Sequence, residues 1–231
     1  MLPKGIGAVP VPDKRTGVPE DYITLSTTEA LAGLAQIGVL EVHPWGSRNT
    51  DLERPDRLVF DLDPDETLGW NAVAEAAADV RNRLKAIGLK SLLKTTGGKG
   101  LHVIVPIAPE MEWPAAREFT YAFVRSMERA RPDVYLTKMT KAARAGKIYL
   151  DYLRNERGAT AVAPYSPRAR AGMEVSVPLA WSDLKLAERP VFRVSEFLGW
   201  MARLRKDPWA GINEMQQTIS VETRKAIGMK G

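Results

Sequence analysis

Two aspartates one residue apart, Asp61 and Asp63, end the apolar run Arg57-Leu58-Val59-Phe60, and Pro64 follows them. Val59, Phe60 and the alternation read as a strand, on which residues i and i+2 project from the same side. Pro64 cannot donate to a sheet ladder and stops the strand. Carboxylates placed side by side repel, so the pair calls for a positive charge between them. A hard divalent cation with oxygen ligands meets that need. The plain alternative is a polar strand end with solvated acids.

A third acid, Asp151, sits inside the apolar run Ile148-Tyr149-Leu150-Asp151-Tyr152-Leu153. An Asp buried there needs a charged partner or a metal. Three carboxylates on neighbouring strands can hold two metals, one activating an attacking oxygen and the other holding phosphates and leaving group. A structural ion pair to Arg154 or Arg144 is the competing account.

Thr95-Thr96-Gly97-Gly98-Lys99-Gly100 has the make-up of a phosphate cradle. Its glycines let backbone N–H groups approach an anion, while Thr96 and Lys99 add a hydroxyl and a charge. The spacing of a Walker loop is absent, and a plain hairpin turn would look similar. His102 follows the turn, on one strand face with Ile104 and Pro106. A basic cluster from Lys138, Lys141, Arg144 and Lys147 through Arg154, Arg157, Arg168 and Arg170 brackets Asp151. Arginines beside a metal-binding acid suit polyphosphate or DNA backbone, and a solvated basic face is the other reading.

The 231 residues, 45% of them apolar, supply a core, and no apolar run nears the ~20 residues that span a bilayer. The start, Met1-Leu2-Pro3-Lys4-Gly5, lacks the apolar stretch of a secretory signal. Absence of cysteine excludes disulfides, thiolate zinc sites and a Cys nucleophile, and suits a cytoplasmic setting. A net charge of +5 makes polyanions plausible partners.

The elements that must position these residues follow from local signals. Residues 1–25 are expected to be extended or looped because of Pro3, Pro10, Pro12 and Pro19, with a short strand at Tyr22–Leu25. Ser26 or Thr27 caps a helix through Leu34, and Val39–Val42 reads as a strand leading to His43. Apolar steps of three and four predict a helix from Trp70 to Ile87, stopped by Gly88. Ser91–Lys94 and Leu101–Ile107 form a hairpin across the glycine turn. Pro114 opens a helix through Met127. A short strand at Val134–Thr137, a helical basic segment from Lys138, strands at Ile148–Leu153 and Glu174–Val177, and a helical part over 190–231 complete the expectation. Hairpins among the strands favour an α+β fold with a mixed or antiparallel central sheet flanked by helices.

Together these motifs resemble the archaeo-eukaryotic primase superfamily, and most closely the polymerase (primase-polymerase) domain of bacterial ligase D. The resemblance rests on Phe60-Asp61-Leu62-Asp63-Pro64, Thr95 to Val103 and Leu150 to Asn155, supported by Val11-Pro12-Asp13-Lys14, Gly38 to Ser47, Asp51 to Asp56 and Thr160 to Arg168. It implies one primase-polymerase catalytic domain over 1–231. It implies that Asp61, Asp63 and Asp151 bind two Mn2+ or Mg2+ ions, with manganese preferred. Thr96, Lys99, Gly100 and His102 would hold the nucleotide triphosphate, with His43 orienting its sugar. Arg144 and Arg154 would contact nucleotide, and Arg168 and Arg170 DNA. A primer 3′-hydroxyl would attack the alpha phosphate of a dNTP or rNTP and release pyrophosphate, at DNA ends or gaps in non-homologous end joining, with a ligase and Ku as partners. No membrane partner is implied; the setting is the bacterial cytoplasm, at the nucleoid.

Members of that family carry a base-stacking Phe and 5′-phosphate-gripping lysines ahead of the equivalent of Val11, where this sequence has no aromatic before Tyr22. A form short at its N-terminus, with that recognition lost or supplied by another chain, is therefore expected. The alternative expectation is a catalytically incomplete nucleotide- or DNA-binding module working with a ligase or Ku; a metal-dependent phosphohydrolase is a third.

Overall fold

The computed structural model describes residues 2–13, 15–140 and 143–229. Lys14 and Lys141, both named above, lie outside the described residues. The chain divides into two compact units, Met1–Val42 and His43–Gly231.

In the first unit, β1 (Ile6–Pro12) and β2 (Pro19–Leu25) form an antiparallel ribbon in register from Ile6 with Leu25 to Pro12 with Pro19. The segment before Tyr22, expected to be extended or looped, is thus largely extended, as two paired strands. Pro10 and Pro12 are tolerated because each strand of a two-stranded ribbon has one unpaired edge. Helix α1 (Thr28–Gln36) starts at Thr27, whose side chain accepts a hydrogen bond from the Ala30 N–H. It ends at Gly38, where φ is 80° and the Val39 N–H closes on the Leu34 carbonyl at 3.0 Å. That closure explains a correction. Val39–Val42 is not a strand, because Val39 is used to finish the helix and among the described residues no strand is paired with the segment.

The second unit is built on a six-stranded sheet. Its strands are β3 (Arg57–Pro64), β4 (Leu92–Thr95), β5 (Leu101–Pro106), β6 (Tyr135–Leu136), β7 (Ile148–Asp151) and β8 (Pro178–Leu179). The spatial order is β6-β7-β3-β5-β4-β8, antiparallel throughout except for the parallel pair β6–β7. The α+β class with a mixed sheet holds.

Helices α2 (Trp70–Ala86) and α3 (Trp113–Ala130) cover one face. Leu58, Phe60 and Leu62 of β3, with Leu101, Val103 and Val105 of β5, pack there against Val73, Ala77 and Val80 of α2 and Phe119, Phe123 and Met127 of α3. The alternate residues face the other way. Val59, Leu92 and Ile104 form a small second cluster under Trp209, whose indole donates to the Leu93 carbonyl at 2.8 Å. Beyond that cluster, toward the ends of the strands, the same face carries the acids.

Three further expectations change. The described residues 138–140 and 144–147 form no helix; Gly146 has a φ of 67°, and Arg144 is drawn to Asp63. Glu174–Val177 is not a regular strand, because its backbone serves three different segments. Val175 N–H bonds Phe192, Ser176 N–H bonds Ser166, and Val177 N–H bonds the Thr95 hydroxyl. The C-terminal part has only two α-helices among its described residues, α4 (Val194–Met201) and α5 (Val221–Ala226), joined by mostly irregular chain. Among the described residues, no helix is long and apolar enough to cross a membrane.

Candidate nucleotide and metal site

β3 lies between β5 and β7, and its register lines up one row of side chains. Asp61 is opposite His102 on one side and Asp151 on the other, and His102 is opposite Lys94 of β4. The row Lys94–His102–Asp61–Asp151 therefore crosses four strands on the face away from α2 and α3. Asp63, two residues on, shares that face.

Two arginines and a histidine face the acids. Arg154 Nε lies 3.3 Å from both Asp61 Oδ2 and Asp151 Oδ2. His102 Nε2 is 3.4 Å from Asp61 Oδ1. Asp63 Oδ2 accepts from Arg144 Nη1 at 2.5 Å, and Arg144 also donates to the Met139 carbonyl at 3.0 Å and lies over the Tyr149 ring. Of the two competing partners for Asp151, Arg154 is the one it meets. Arg154 reaches it from a short 3-10 turn, Leu153–Asn155, in which Asn155 is buried. The Asn155 side chain accepts from the Val59 N–H at 2.7 Å and donates to the Val59 carbonyl at 2.8 Å. It thus completes the β3 ladder where β7 has stopped.

The electrostatics follow from this crowding. Burial works to raise the Asp61 carboxyl, but His102, then Arg154 and Lys94, outweigh it and hold it down at about 2. Asp151 is raised by burial, against Arg154. Burial pushes Lys94 down to about 7 despite the attraction of Asp61, and burial and Lys94 together lower His102. Asp61 is thereby ionised across the physiological range.

The glycine turn joins β4 to β5. Gly97 has a φ of 66°. A Cβ on Gly100 would stand 2.5 Å from the Leu62 carbonyl oxygen, so only glycine lets the turn sit against β3. Thr96 Oγ1 donates to the Gly100 carbonyl at 3.1 Å, and Arg168 Nη1 donates to the Thr96 carbonyl at 2.7 Å.

A cleft of about 240 Å³ opens between the turn and the acids. Of the twelve residues named from sequence, ten line it: His43, Asp61, Asp63, Thr96, Lys99, Gly100, His102, Arg154, Arg168 and Arg170. Asp151 stands behind Asp61, buried, and of the three acids Arg144 pairs with Asp63. Sequence reasoning missed Lys94, which is 2% exposed and donates to Ser176 Oγ at 2.8 Å. A lone lysine in the strand Leu92-Leu93-Lys94-Thr95 was the available signal. It also missed Arg189, which nothing local distinguishes from other arginines.

Among the described residues, no three carboxylate or imidazole groups are gathered closely enough to hold one ion as they stand. The donor chemistry nonetheless suits a hard divalent cation. Three carboxylates share one sheet face, and Arg154 already provides a cation between two of them. Asp61, Asp63 and Asp151 are the residues that would hold it.

Comparison with known proteins places this arrangement. The family model described as the LigD primase-polymerase domain matches residues 2–209. The multifunctional non-homologous end joining protein LigD of Pseudomonas aeruginosa is 38% identical over 215 residues, which cover 89% of this chain and 25% of that protein. Its namesake in Mycolicibacterium smegmatis is 35% identical, over 77% of this chain and 24% of that protein. The chain thus spans about a quarter of the length of these relatives. The solved polymerase domain from Mycobacterium tuberculosis ligase D in complex with DNA superposes with a TM-score of 0.83 at 30% identity, covering 92% of this chain and 76% of that one.

Proposed function

This chain belongs to the LigD primase-polymerase domain family, and from that premise we propose that it is a divalent-metal-dependent nucleotidyltransferase. It adds dNTPs or rNTPs to DNA 3′ ends or gaps in non-homologous end joining. The observation that supports this most is the register of Asp61 with Asp151, with Asp63 beside them, facing a basic glycine turn across one cleft. An acidic edge opposite an anion-binding turn is what a triphosphate and its counter-ions require.

In this reading Lys99, with the Thr96 hydroxyl and the turn amides, binds the triphosphate and balances the charge of departing pyrophosphate, and Arg168 and Arg170 contact DNA. His43, exposed at the cleft wall, orients the sugar. Asp61, Asp63 and Asp151 hold Mn2+ or Mg2+, which when bound supplies charge neutralisation and activates the attacking oxygen. His102 and Lys94 keep Asp61 ionised. Arg154 holds Asp61 and Asp151 in place. The DNA is a gapped or broken duplex, and a ligase and Ku are the partners at the bacterial nucleoid.

Primer extension on gapped, 5′-phosphorylated DNA with manganese, comparing dNTPs with rNTPs, tests the proposal. Elongated primer with stoichiometric pyrophosphate is expected; neither product under any divalent ion overturns it. The pairing of Arg144 and Arg154 with all three acids favours one second reading, a module that binds nucleotide and DNA without turnover. Saturable nucleotide binding without product would establish that instead.

A further inference from the structure

Arg189 does not line the cleft, yet it grips the turn that does. Its Nη1 donates to the Gly98 carbonyl at 2.9 Å and to Glu174 Oε2 at 2.6 Å, and its Nη2 donates to Glu174 Oε1 at 2.9 Å. Both protons of Nη1 are therefore spent. The bidentate carboxylate fixes the plane of the guanidinium, and with it the direction of the bond to Gly98. Glu174 also braces the neighbouring arginine, since its carbonyl accepts from the Arg168 N–H at 2.8 Å. Arg168 in turn caps the Thr96 carbonyl. Two carbonyls of the turn, Thr96 and Gly98, are thus each held by an arginine anchored at Glu174.

In a trans peptide the N–H points opposite to the carbonyl of the same unit, and there is no cis peptide among the described residues. Holding the Gly98 carbonyl toward Arg189, outside the cleft lining, sets the N–H of Lys99 in the opposite direction. Gly98, Lys99 and Gly100 line the cleft whereas Arg189 does not. With Gly97 in the left-handed region, an amide held this way is available to an anion nest.

We infer that Arg189, pinned by Glu174, is a positioning residue for phosphate recognition: it orients the backbone amides of the glycine turn toward the anion without touching the anion itself. The inference rests on the nucleotide-binding reading above. An arginine that bound phosphate directly would line the cleft with donors aimed into it; Arg189 is not among the lining residues, and three of its five donors are committed to Glu174 and Gly98.

Calorimetric titration of the full chain with ATP and with inorganic pyrophosphate, each with manganese, tests it on wild type, Arg189→Ala, Arg189→Lys and Glu174→Gln. Arg189→Ala is expected to weaken both ligands about tenfold, the scale of one charge-assisted hydrogen bond. Arg189→Lys keeps a donor for the carbonyl but loses the fork, and falls between. Glu174→Gln weakens both ligands in the same direction. DNA affinity of Arg189→Lys stays at the wild-type value, and its thermal midpoint falls by no more than that of Glu174→Gln, which loses the same fork. Wild-type affinity in all three variants overturns the inference, as does a loss matched by falling DNA affinity and thermal midpoint, which would make Arg189 a mere brace. A wild-type chain that binds neither ligand refutes the nucleotide-binding reading instead.

Discussion

Asp61 and Asp151 are direct register partners across β3 and β7, and one nitrogen, Arg154 Nε, stands 3.3 Å from a carboxylate oxygen of each. The same arginine therefore meets the two acids at the point where strand pairing forces them together. Arg154→Ala leaves two partly buried carboxylates facing each other. The expected outcome is an upward shift of their titration, read by carboxylate NMR, and weaker nucleotide addition at low pH that recovers as pH rises and the second proton leaves.

Asn155 substitutes for a missing strand residue against Val59. Asn155→Ala orphans a buried N–H and a buried carbonyl, and is expected to cost about 2 kcal/mol or more in a denaturant titration. Asn155→Asp keeps the acceptor and loses the donor, and falls between wild type and Ala.

These two relationships mark where sequence reading stopped. The three acids were legible because charge inside or at the end of an apolar strand is costly enough to need a reason. The glycine turn was legible from composition. The row across the sheet was not, because it depends on β3 lying between β5 and β7, which local alternation does not specify. Val39–Val42 had strand propensity, but among the described residues no strand is paired with it, so propensity misled. Arg189 was invisible because its role comes from Glu174 and Gly98, both distant in sequence.

Lys94 and Ser176 form a buried donor–acceptor pair, and Ser176 Oγ in turn donates a hydrogen bond to the Thr95 carbonyl at 2.7 Å. Ser176→Ala removes a partner from a buried ammonium and is expected to cost about 1–3 kcal/mol. Lys94→Met removes the charge as well and costs less. The double variant should be less destabilised than the sum, by roughly 0.5–3 kcal/mol in a double-mutant cycle. Additive effects would show that the pair is not coupled.

The close approach of the turn to β3 gives a steric prediction. Gly100→Ala places a methyl against the Leu62 carbonyl, which the ladder cannot easily yield. A loss of about 1–3 kcal/mol in stability is expected, with a rise in the apparent KM for nucleotide. Unchanged stability would mean that the turn moves freely.

The Arg189 fork supplies a pH dependence with a definite sign. Its hydrogen bond holds the Glu174 carboxyl below its ordinary 4.5, against burial. A carboxyl lowered on folding contributes stability above its unfolded value and loses it as pH falls through the folded one. The stability difference between wild type and Glu174→Gln should therefore be full near neutrality and shrink below about pH 4.5. Denaturant midpoints measured from pH 7 to pH 3 check this.

The central claim is that the acids gathered on β3 and β7 perform nucleotide addition. Single-nucleotide addition to a gapped primer by Asp61→Asn, with nucleotide binding and thermal unfolding measured on the same preparation, tests it most directly. The account predicts a folded protein that still binds nucleotide and whose rate falls by at least about a hundredfold, the scale set by losing one electrostatic contact at a reacting centre. Addition at the wild-type rate would contradict it.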